Sequence, residues 1–444
     1  MMTLTRSLLP LFVLPAVLAA QANAPMELSL KQAIDLALAP DGNARVRLAQ
    51  EAVRQAQTRA TQARAALLPN LDASVSEQNQ TRNLAAFGIK ISIPIPGFTF
   101  PELAGPFTVF DARASATQTI FDFGAIRRYQ ASKTAIQATG DENDATKDQV
   151  ARQVALQYLT ALRAAARVES TDADVKLADS LLKLASNQKE AGTGTGIEVT
   201  RARVQLAQAR QQLLLAQNDL RQAQLELLRS IGLRLDTPVR LTGALDLKPV
   251  GDVTAEKALE VALQTRADWK AQQKREEGAR LNYSGVKLER LPSVAGFADY
   301  GSIGTGLTNA IPTRTYGVSM RVPVFDGGRR DARRSESRSQ YEQEQVRTAD
   351  LRREIDLEIR LALDDLSSAR DQVDVAADGL AQAQAEVEQA ERRYKAGVAT
   401  SVELADAQSR LARARDNHIA ALFLLNRARL DLWQAMGTTR QMVD

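Results

Sequence analysis

Residues 395–437 read KAGVATSVELADAQSRLARARDNHIAALFLLNRARLDLWQAMG, and the chain contains an earlier version of this stretch. It aligns without a gap on residues 190–232, so that the Ala-Gly pair at 396–397 falls on the pair at 191–192. An internal repeat of this length indicates that two related halves build the chain.

Both copies repeat apolar residues at every seventh position, interrupted once in the second copy by His418, with alanine three positions later. In the first copy the apolar positions are Val199, Leu206, Leu213, Leu220 and Leu227. A strict seven-residue repeat under-winds a helix slightly and produces a left-handed coiled coil. The same period continues in a longer helix upstream of each copy, and a glycine-containing turn joins the two helices. The longer helix of the first half, about 65 residues, is predicted to be a rod on the order of 100 Å long.

The beginning of the chain has the features of a secretory signal peptide, predicted at residues 1–22. Arg6 supplies the positive charge, residues 8–20 the apolar run, and Ala20-Gln21-Ala22 a small-residue cleavage pattern. The apolar run is too short, and contains two prolines, for an uncleaved membrane anchor. We therefore expect an exported chain.

Composition argues against several functions. The chain has no cysteine, which excludes disulfides, thiolate metal sites and cysteine nucleophiles. A formal net charge of +4 over 444 residues is too mild for a dedicated nucleic-acid binder. His418 is the single histidine and replaces an apolar residue of the coiled-coil seam, so it forms neither a metal site nor a catalytic triad. We expect no enzyme, no cofactor and no nucleic-acid partner.

Four segments change to the alternating pattern that is typical of β-strands. They are residues 70–82, 110–121, 293–302 and 314–325. Their length, roughly ten to twelve residues, is what a tilted strand needs to cross a bilayer. Four strands cannot close a barrel, and lipid does not tolerate open sheet edges, so insertion requires several copies. The alternative, a small soluble sheet that caps the coiled coil, is disfavoured by the export signal and the strand length.

The predicted fold is mainly α with a small transmembrane β part, in two tandem structural repeats. These are residues 25–245, with a hairpin tip at 190–197, and residues 246–440, with a tip at 395–401. Each repeat holds two strands plus long coiled-coil helices, and residues 83–106 are predicted to be an extracellular loop. Because the two shorter helices of a repeat together nearly equal the long one, they are expected to run beside it end to end. Three copies would make a 12-stranded β-barrel on an α-helical barrel.

Three runs of sequence, together with this order of elements, carry a resemblance to a known family. They are LKQAIDLAL at residues 30–38, AGTGTGIEV at 191–199 and YKAGVATSVEL at 394–404. The chain resembles the TolC family of outer-membrane channels over essentially its whole mature length. The resemblance implies a homotrimer in outer-membrane lipid with a long periplasmic extension, docked on a periplasmic adaptor protein and an inner-membrane transporter. Such a channel is a passive exit duct for efflux or one-step secretion; the competing interpretation is an exported coiled-coil scaffold or adaptor without a pore.

The resemblance also implies roles for individual residues. In the family the hairpin tips form the closed periplasmic entrance; here Tyr394 matches a latch tyrosine, and Glu198 matches its acidic partner. Glu403 and Asp406 match an acidic ring at the entrance, where three copies would repel one another and attract cations. Without the resemblance, both would be interpreted as ordinary solvated helix charges.

Docking of the adaptor is implied for the hairpin tips, at Gly192, Thr193, Gly194, Gly397, Val398, Ala399 and Thr400. The tip glycines also have a structural role of their own as helix C-caps and turn residues. Some family members place an arginine at the position of Ala399, so the latch of this chain is expected to be weaker or built differently.

Overall fold

A computed structural model describes residues 25–88, 102–245, 251 and 253–442. The predicted signal peptide and the central part of the predicted loop at 83–106 lie outside the described residues.

The first half begins with a short strand and two helices, continues with two strands, and ends with a long helical hairpin and a short strand. Its elements are β1 (Met26–Leu28), α1 (Leu30–Leu38), α2 (Ala44–Ala65), β2 (Asn70–Asn83), β3 (Leu103–Phe121), α3 (Phe123–Glu190), α4 (Gly196–Ser230) and β4 (Val239–Leu241). The strands β1 and β4 pair in parallel.

The second half follows the same order of helices and strands. Its elements are α5 (Ala255–Thr265), α6 (Ala267–Leu288), β5 (Ser293–Gly304), β6 (Ile311–Arg321), α7 (Arg329–Lys395), α8 (Ser401–Ala435) and α9 (Thr439–Met442). The architecture is mainly helical with a small sheet, as predicted. The strands β1 and β4 and the helix α9 have no counterpart in the sequence prediction.

Local capping explains where helices begin. Ser29 forms a capping box for α1, because its hydroxyl accepts the Gln32 N–H at 3.2 Å and the Gln32 side chain accepts the Ser29 N–H at 2.9 Å. The 68-residue helix α3 begins after Asp122, whose carboxylate accepts the Ala125 N–H at 3.0 Å.

The two shorter helices of each half pack against the long helix of that half, as their lengths predict. The helices α2 and α4 both contact α3, and α6 and α8 both contact α7. The helix α3 also contacts α6 and α8, so it joins the two halves along its length.

The four longer strands form one antiparallel sheet in the order β2-β3-β5-β6, with β2 and β6 at its edges. Pairing places one apolar set of side chains on the same face, at Leu71, Val75, Ala112, Ala114, Ala116, Tyr300, Tyr316 and Val318. The same face also carries Glu77 and Arg314. The opposite face is mainly polar and contains Arg113, which binds Asp111 at 2.8 Å and Asp299 at 3.2 Å. The sheet is therefore amphipathic.

Two strands differ from the prediction by more than two residues at an end. The strand β3 begins at Leu103 rather than at residue 110, because a register shift opposite Gln80 and Arg82 accommodates Gly105 and Pro106. The strand predicted at 314–325 runs instead from Ile311 to Arg321. Pro323 explains the earlier end, since proline has no N–H to continue a ladder.

Buried side chains form two separate clusters. The central cluster surrounds β1, α1 and α5, and its largest fully buried members include Leu28, Tyr158, Leu159, Ile355, Ile359, Leu430 and Leu432. The tip cluster lies near the helical turns and consists of Ala383, Val387, Ala390, Tyr394, Leu404, Ala407 and Leu411.

Candidate functional site at the hairpin tips

The turn between α3 and α4 is a Schellman motif. Gly192 adopts a φ of 75°, and its N–H donates to the Lys189 carbonyl at 3.0 Å. The Thr193 and Gly194 N–H groups both donate to the Gln188 carbonyl at 2.9 Å. The left-handed backbone strains any residue with a Cβ, which explains the glycine at position 192.

The turn between α7 and α8 has the same geometry. Gly397 adopts a φ of 74°, and its N–H donates to the Tyr394 carbonyl at 3.0 Å. The Val398 N–H donates to the Arg393 carbonyl, also at 3.0 Å. Thr400 caps α8, since its hydroxyl accepts the Glu403 N–H at 3.3 Å. The two tips are thus equivalent in backbone and differ in their side chains.

Apolar side chains are exposed at both tips. Val398 is 67% exposed, Ile197 is 58% exposed and Val402 is 56% exposed. Ala399 packs against the tip cluster and presents no charge. Exposed apolar groups at a helical turn are suited to contact with another protein.

Tyr394 and Glu198, the predicted latch pair, line one cavity of about 370 Å³ between the two hairpins. Tyr394 is only 6% exposed and belongs to the tip cluster. Burial raises the pKa of its hydroxyl, and the charge of Glu198 raises it further. The Glu198 carboxylate accepts hydrogen bonds from the Thr195 N–H at 2.8 Å and from the Thr195 hydroxyl at 3.0 Å. The structure therefore brings the pair together, with Glu198 held by its own helix cap.

Each residue of the predicted acidic ring has an arginine partner. Glu403 binds Arg393 at 2.9 Å across the turn, and Asp406 binds Arg410 at 2.8 Å one helical turn away. Arg410 also binds Glu386 of α7 at 2.8 Å. The seven-residue period does not point to these arginines, although the spacing of Asp406 and Arg410 is an i,i+4 signal that a search for ion pairs would find.

An ion pair between α3 and α8 lies further from the tips. Asp174 binds Arg415 at 2.6 Å, and both side chains are about one quarter exposed. Burial raises the pKa of Asp174, and the charge and hydrogen bond of Arg415 offset part of that increase. This pair joins the first hairpin to the second, and the seven-residue period does not reveal it because the two residues are far apart in the chain.

Within the described part of the chain, no group of three or more His, Cys, Asp and Glu side chains could hold a metal ion. None of the helices there combines the length and the apolar content needed to cross a membrane.

Comparison with known proteins places this architecture in a family. A family model described as outer membrane efflux protein matches residues 34–233 and 258–438. The pyoverdine export outer membrane protein OpmQ of Pseudomonas putida is 24% identical over 395 residues, which cover 87% of this chain and 81% of OpmQ.

Solved structures show the same fold. The CmeC outer membrane channel of Campylobacter jejuni superposes with a TM-score of 0.78 at 18% identity, covering 92% of this chain and 86% of CmeC. The outer membrane protein VceC of Vibrio cholerae superposes with a TM-score of 0.75 at 18% identity, covering 92% of this chain and 96% of VceC. The family model spans most of the chain, and the chain is a member of the outer membrane efflux protein family of transport channels.

Proposed function

We propose that three copies of this chain assemble into one channel, with twelve strands in the outer membrane and a helical tube in the periplasm. The observation that carries the proposal is the amphipathic sheet. Leu71, Tyr316 and Val318 lie exposed on its apolar face, whereas Arg113 and its two carboxylate partners lie on the other. Lipid outside and water inside is the alternation that transmembrane barrels require.

The tandem repeat provides six sets of helices in a trimer. In each set a long helix is paired with two shorter helices, so that the wall of the tube has the same thickness along its length. The central cluster stabilises each wall midway along α3. The hairpin tips then form the far end of the tube, opposite the sheet.

The tips are proposed to receive a periplasmic adaptor protein, which connects the channel to an inner-membrane transporter. The contact residues are those of the two turns, Gly192, Thr193, Gly194, Gly397, Val398, Ala399 and Thr400, together with the exposed Ile197 and Val402. The transporter supplies the energy, and the channel itself is passive. Tyr394 and Glu198 hold the entrance closed, and Glu403 and Asp406 line it together with the arginines that pair with them.

The named relative OpmQ exports pyoverdine, which favours export of small molecules over protein secretion for this chain as well. A coiled-coil scaffold without a pore has no use for a sheet with an exposed apolar face, so that interpretation is disfavoured.

The decisive experiment is single-channel recording in planar bilayers with two variants of adjacent residues on β6. Tyr316 lies on the apolar face and Thr315 on the polar face. Tyr316→Lys is expected to lower the yield of inserted channels, because lysine at mid-membrane on a lipid-facing strand costs about 2–4 kcal/mol. Thr315→Lys should insert normally and make the channel more anion-selective.

Wild-type protein that never conducts, although chemical crosslinking verifies a trimer, would support the scaffold instead. Equal loss of insertion in both variants would mean that the two faces of the sheet have been assigned wrongly.

A further inference from the structure

The entrance end of the second hairpin contains as many positive as negative side chains. Residues 386–413, which span both sides of the turn, hold five acidic and five basic residues. The aligned stretch of the first hairpin, residues 181–208, holds two acidic and four basic residues. An entrance built from these ends therefore has no net negative charge, even though Glu403 and Asp406 lie there.

The contact between Arg393 and Glu403 explains how the negative charge of Glu403 is cancelled. A guanidinium nitrogen lies 2.9 Å from a carboxylate oxygen, and the two side chains are 48% and 41% exposed. The position of Arg393 is fixed by the turn itself, since its carbonyl accepts the Val398 N–H. The two charges face each other at the end of the hairpin, where α7 stops and α8 starts.

We propose that Arg393 is the residue that sets the ion selectivity of the entrance, by neutralising Glu403 in each of three copies. The inference rests on the proposed channel function. A ring of three unpaired carboxylates at a constriction concentrates cations, whereas three arginine–carboxylate pairs do not. In this chain Arg393 supplies the neutralising positive charge from within the same hairpin as Glu403.

Arg410 contributes in the same direction but is shared. It binds both Asp406 and Glu386, so its removal would take the same arginine partner from two carboxylates at once. Arg393 is therefore the cleaner position for a test.

The test compares reversal potentials in planar bilayers for the wild type, Arg393→Ala, Arg393→Ala/Glu403→Gln and Arg392→Ala. Arg392 is the matched control because it carries the same charge one residue earlier, is 72% exposed, and lies 4.0 Å from Glu388. At about 0.1 M salt, Arg393→Ala should raise the ratio of K⁺ to Cl⁻ permeability roughly tenfold, the lower end of what charge focusing achieves. Near 1 M salt, where the screening length is only about 3 Å, the increase should largely disappear.

The double variant separates charge from structure. Glu403→Gln removes the carboxylate that Arg393→Ala leaves unpaired, so the double variant should return to the wild-type ratio. A distorted turn would not be corrected in this way. Arg392→Ala should remain within about twofold of the wild type, because a solvated charge away from the constriction is screened.

Two results would overturn the inference. Conducting Arg393→Ala channels with the wild-type ratio would show that the pair does not control selectivity, and an equal shift in Arg392→Ala would reduce the effect to general surface charge. Wild-type protein that does not conduct would instead refute the proposed function and leave Arg393 without a pore to control.

Discussion

The central cluster and the tip cluster lie on the same long helices but are built differently. Around the central cluster α3 and α7 pack on strands and short helices, and large side chains such as Tyr158, Leu159 and Ile355 are fully buried. In the tip cluster three of the seven buried residues are alanines, and a cavity of about 370 Å³ lies beside it.

The ion pairs of the two regions also differ in burial: the arginine is buried near the central cluster and exposed at the tips. Near the central cluster Arg266 is 8% exposed at its side chain and binds Asp268 at 2.7 Å and Glu358 at 2.5 Å. At the tips the pairs of Arg393 and Arg410 are about half exposed and individually weak. One end of each hairpin is fixed by burial, and the other is held by contacts that can open at low cost.

The largest expected difference between the two clusters is in the free energy of unfolding that is lost when a buried leucine is replaced by alanine. Leu159→Ala in the central cluster should cost near the top of the range of about 2–5 kcal/mol, because its packed surroundings cannot collapse into the cavity. Leu411→Ala in the tip cluster should fall near the bottom of that range. Thermal unfolding in detergent, followed by the helical circular dichroism signal, measures both.

Amide hydrogen exchange shows which part of the chain each leucine substitution destabilises. Leu411→Ala should accelerate exchange at the tips and leave the central helices protected, whereas Leu159→Ala should lower protection throughout. If both substitutions lowered the unfolding temperature equally, the contrast between the two clusters would be lost.

A smaller effect is expected at two glycines of α7 and its turn. Gly397 has a φ of 74° and Gly379 is helical, and a Cβ would meet open space at both positions. Gly397→Ala should cost about 1–2 kcal/mol through backbone strain alone. Gly379→Ala should stabilise the helix by up to about 1 kcal/mol. Gly397→Ala should therefore lower the unfolding temperature and Gly379→Ala should raise it. If both variants shifted it in the same direction, backbone strain at Gly397 would not explain the result.

The smallest effect is a difference in pH dependence between two aspartates. Burial raises the pKa of Asp268, but Arg266 outweighs it and leaves that pKa below the ordinary 3.8. Its charged form therefore contributes stability above pH 3.8, and this contribution is lost as pH falls through the lower folded-state pKa. Burial leaves the pKa of Asp174 above 3.8, so ionisation there costs stability once pH rises through the folded-state value.

The matched variants Asp268→Asn and Asp174→Asn should consequently respond in opposite ways. Relative to the wild type, Asp268→Asn should be less stable at pH 7, and its deficit should shrink below pH 3.8. Asp174→Asn should gain relative stability at pH 7 and lose that gain at acid pH. Unfolding temperatures measured at pH 3 and pH 7 test both, and parallel pH curves for the two variants would contradict the assignment.

The long helices could be predicted from the sequence because their signal is local. A seven-residue apolar period requires no knowledge of the partner helix, and α3, α4, α7 and α8 occupy the segments that carry it. The ends of the strands are predicted less accurately. Gly105 and Pro106 lie within β3 because of a register shift, and that shift depends on the neighbouring strand.

The arginine partners at the tips could not be read from periodicity. Whether Arg393 meets Glu403 depends on how the turn rotates α8 against α7, and whether Asp174 meets Arg415 depends on the packing of two helices from different halves. Positions on a helix face are set by the sequence period, but contacts across helices are set by their relative axial shift, which a single sequence does not reveal.

The two edge strands of the sheet have a consequence for how channels accumulate in a cell. Within the described part of the chain, β2 and β6 each pair on one side only. A lone chain entering lipid would leave two rows of backbone N–H and C=O groups without partners, so entry becomes favourable only when neighbouring copies supply them. If the chain assembles as proposed, association and insertion are a single cooperative event, and the yield of channels should rise more steeply than in proportion to the amount of chain exported. At low expression the same edges are exposed to water, where they can template aggregation.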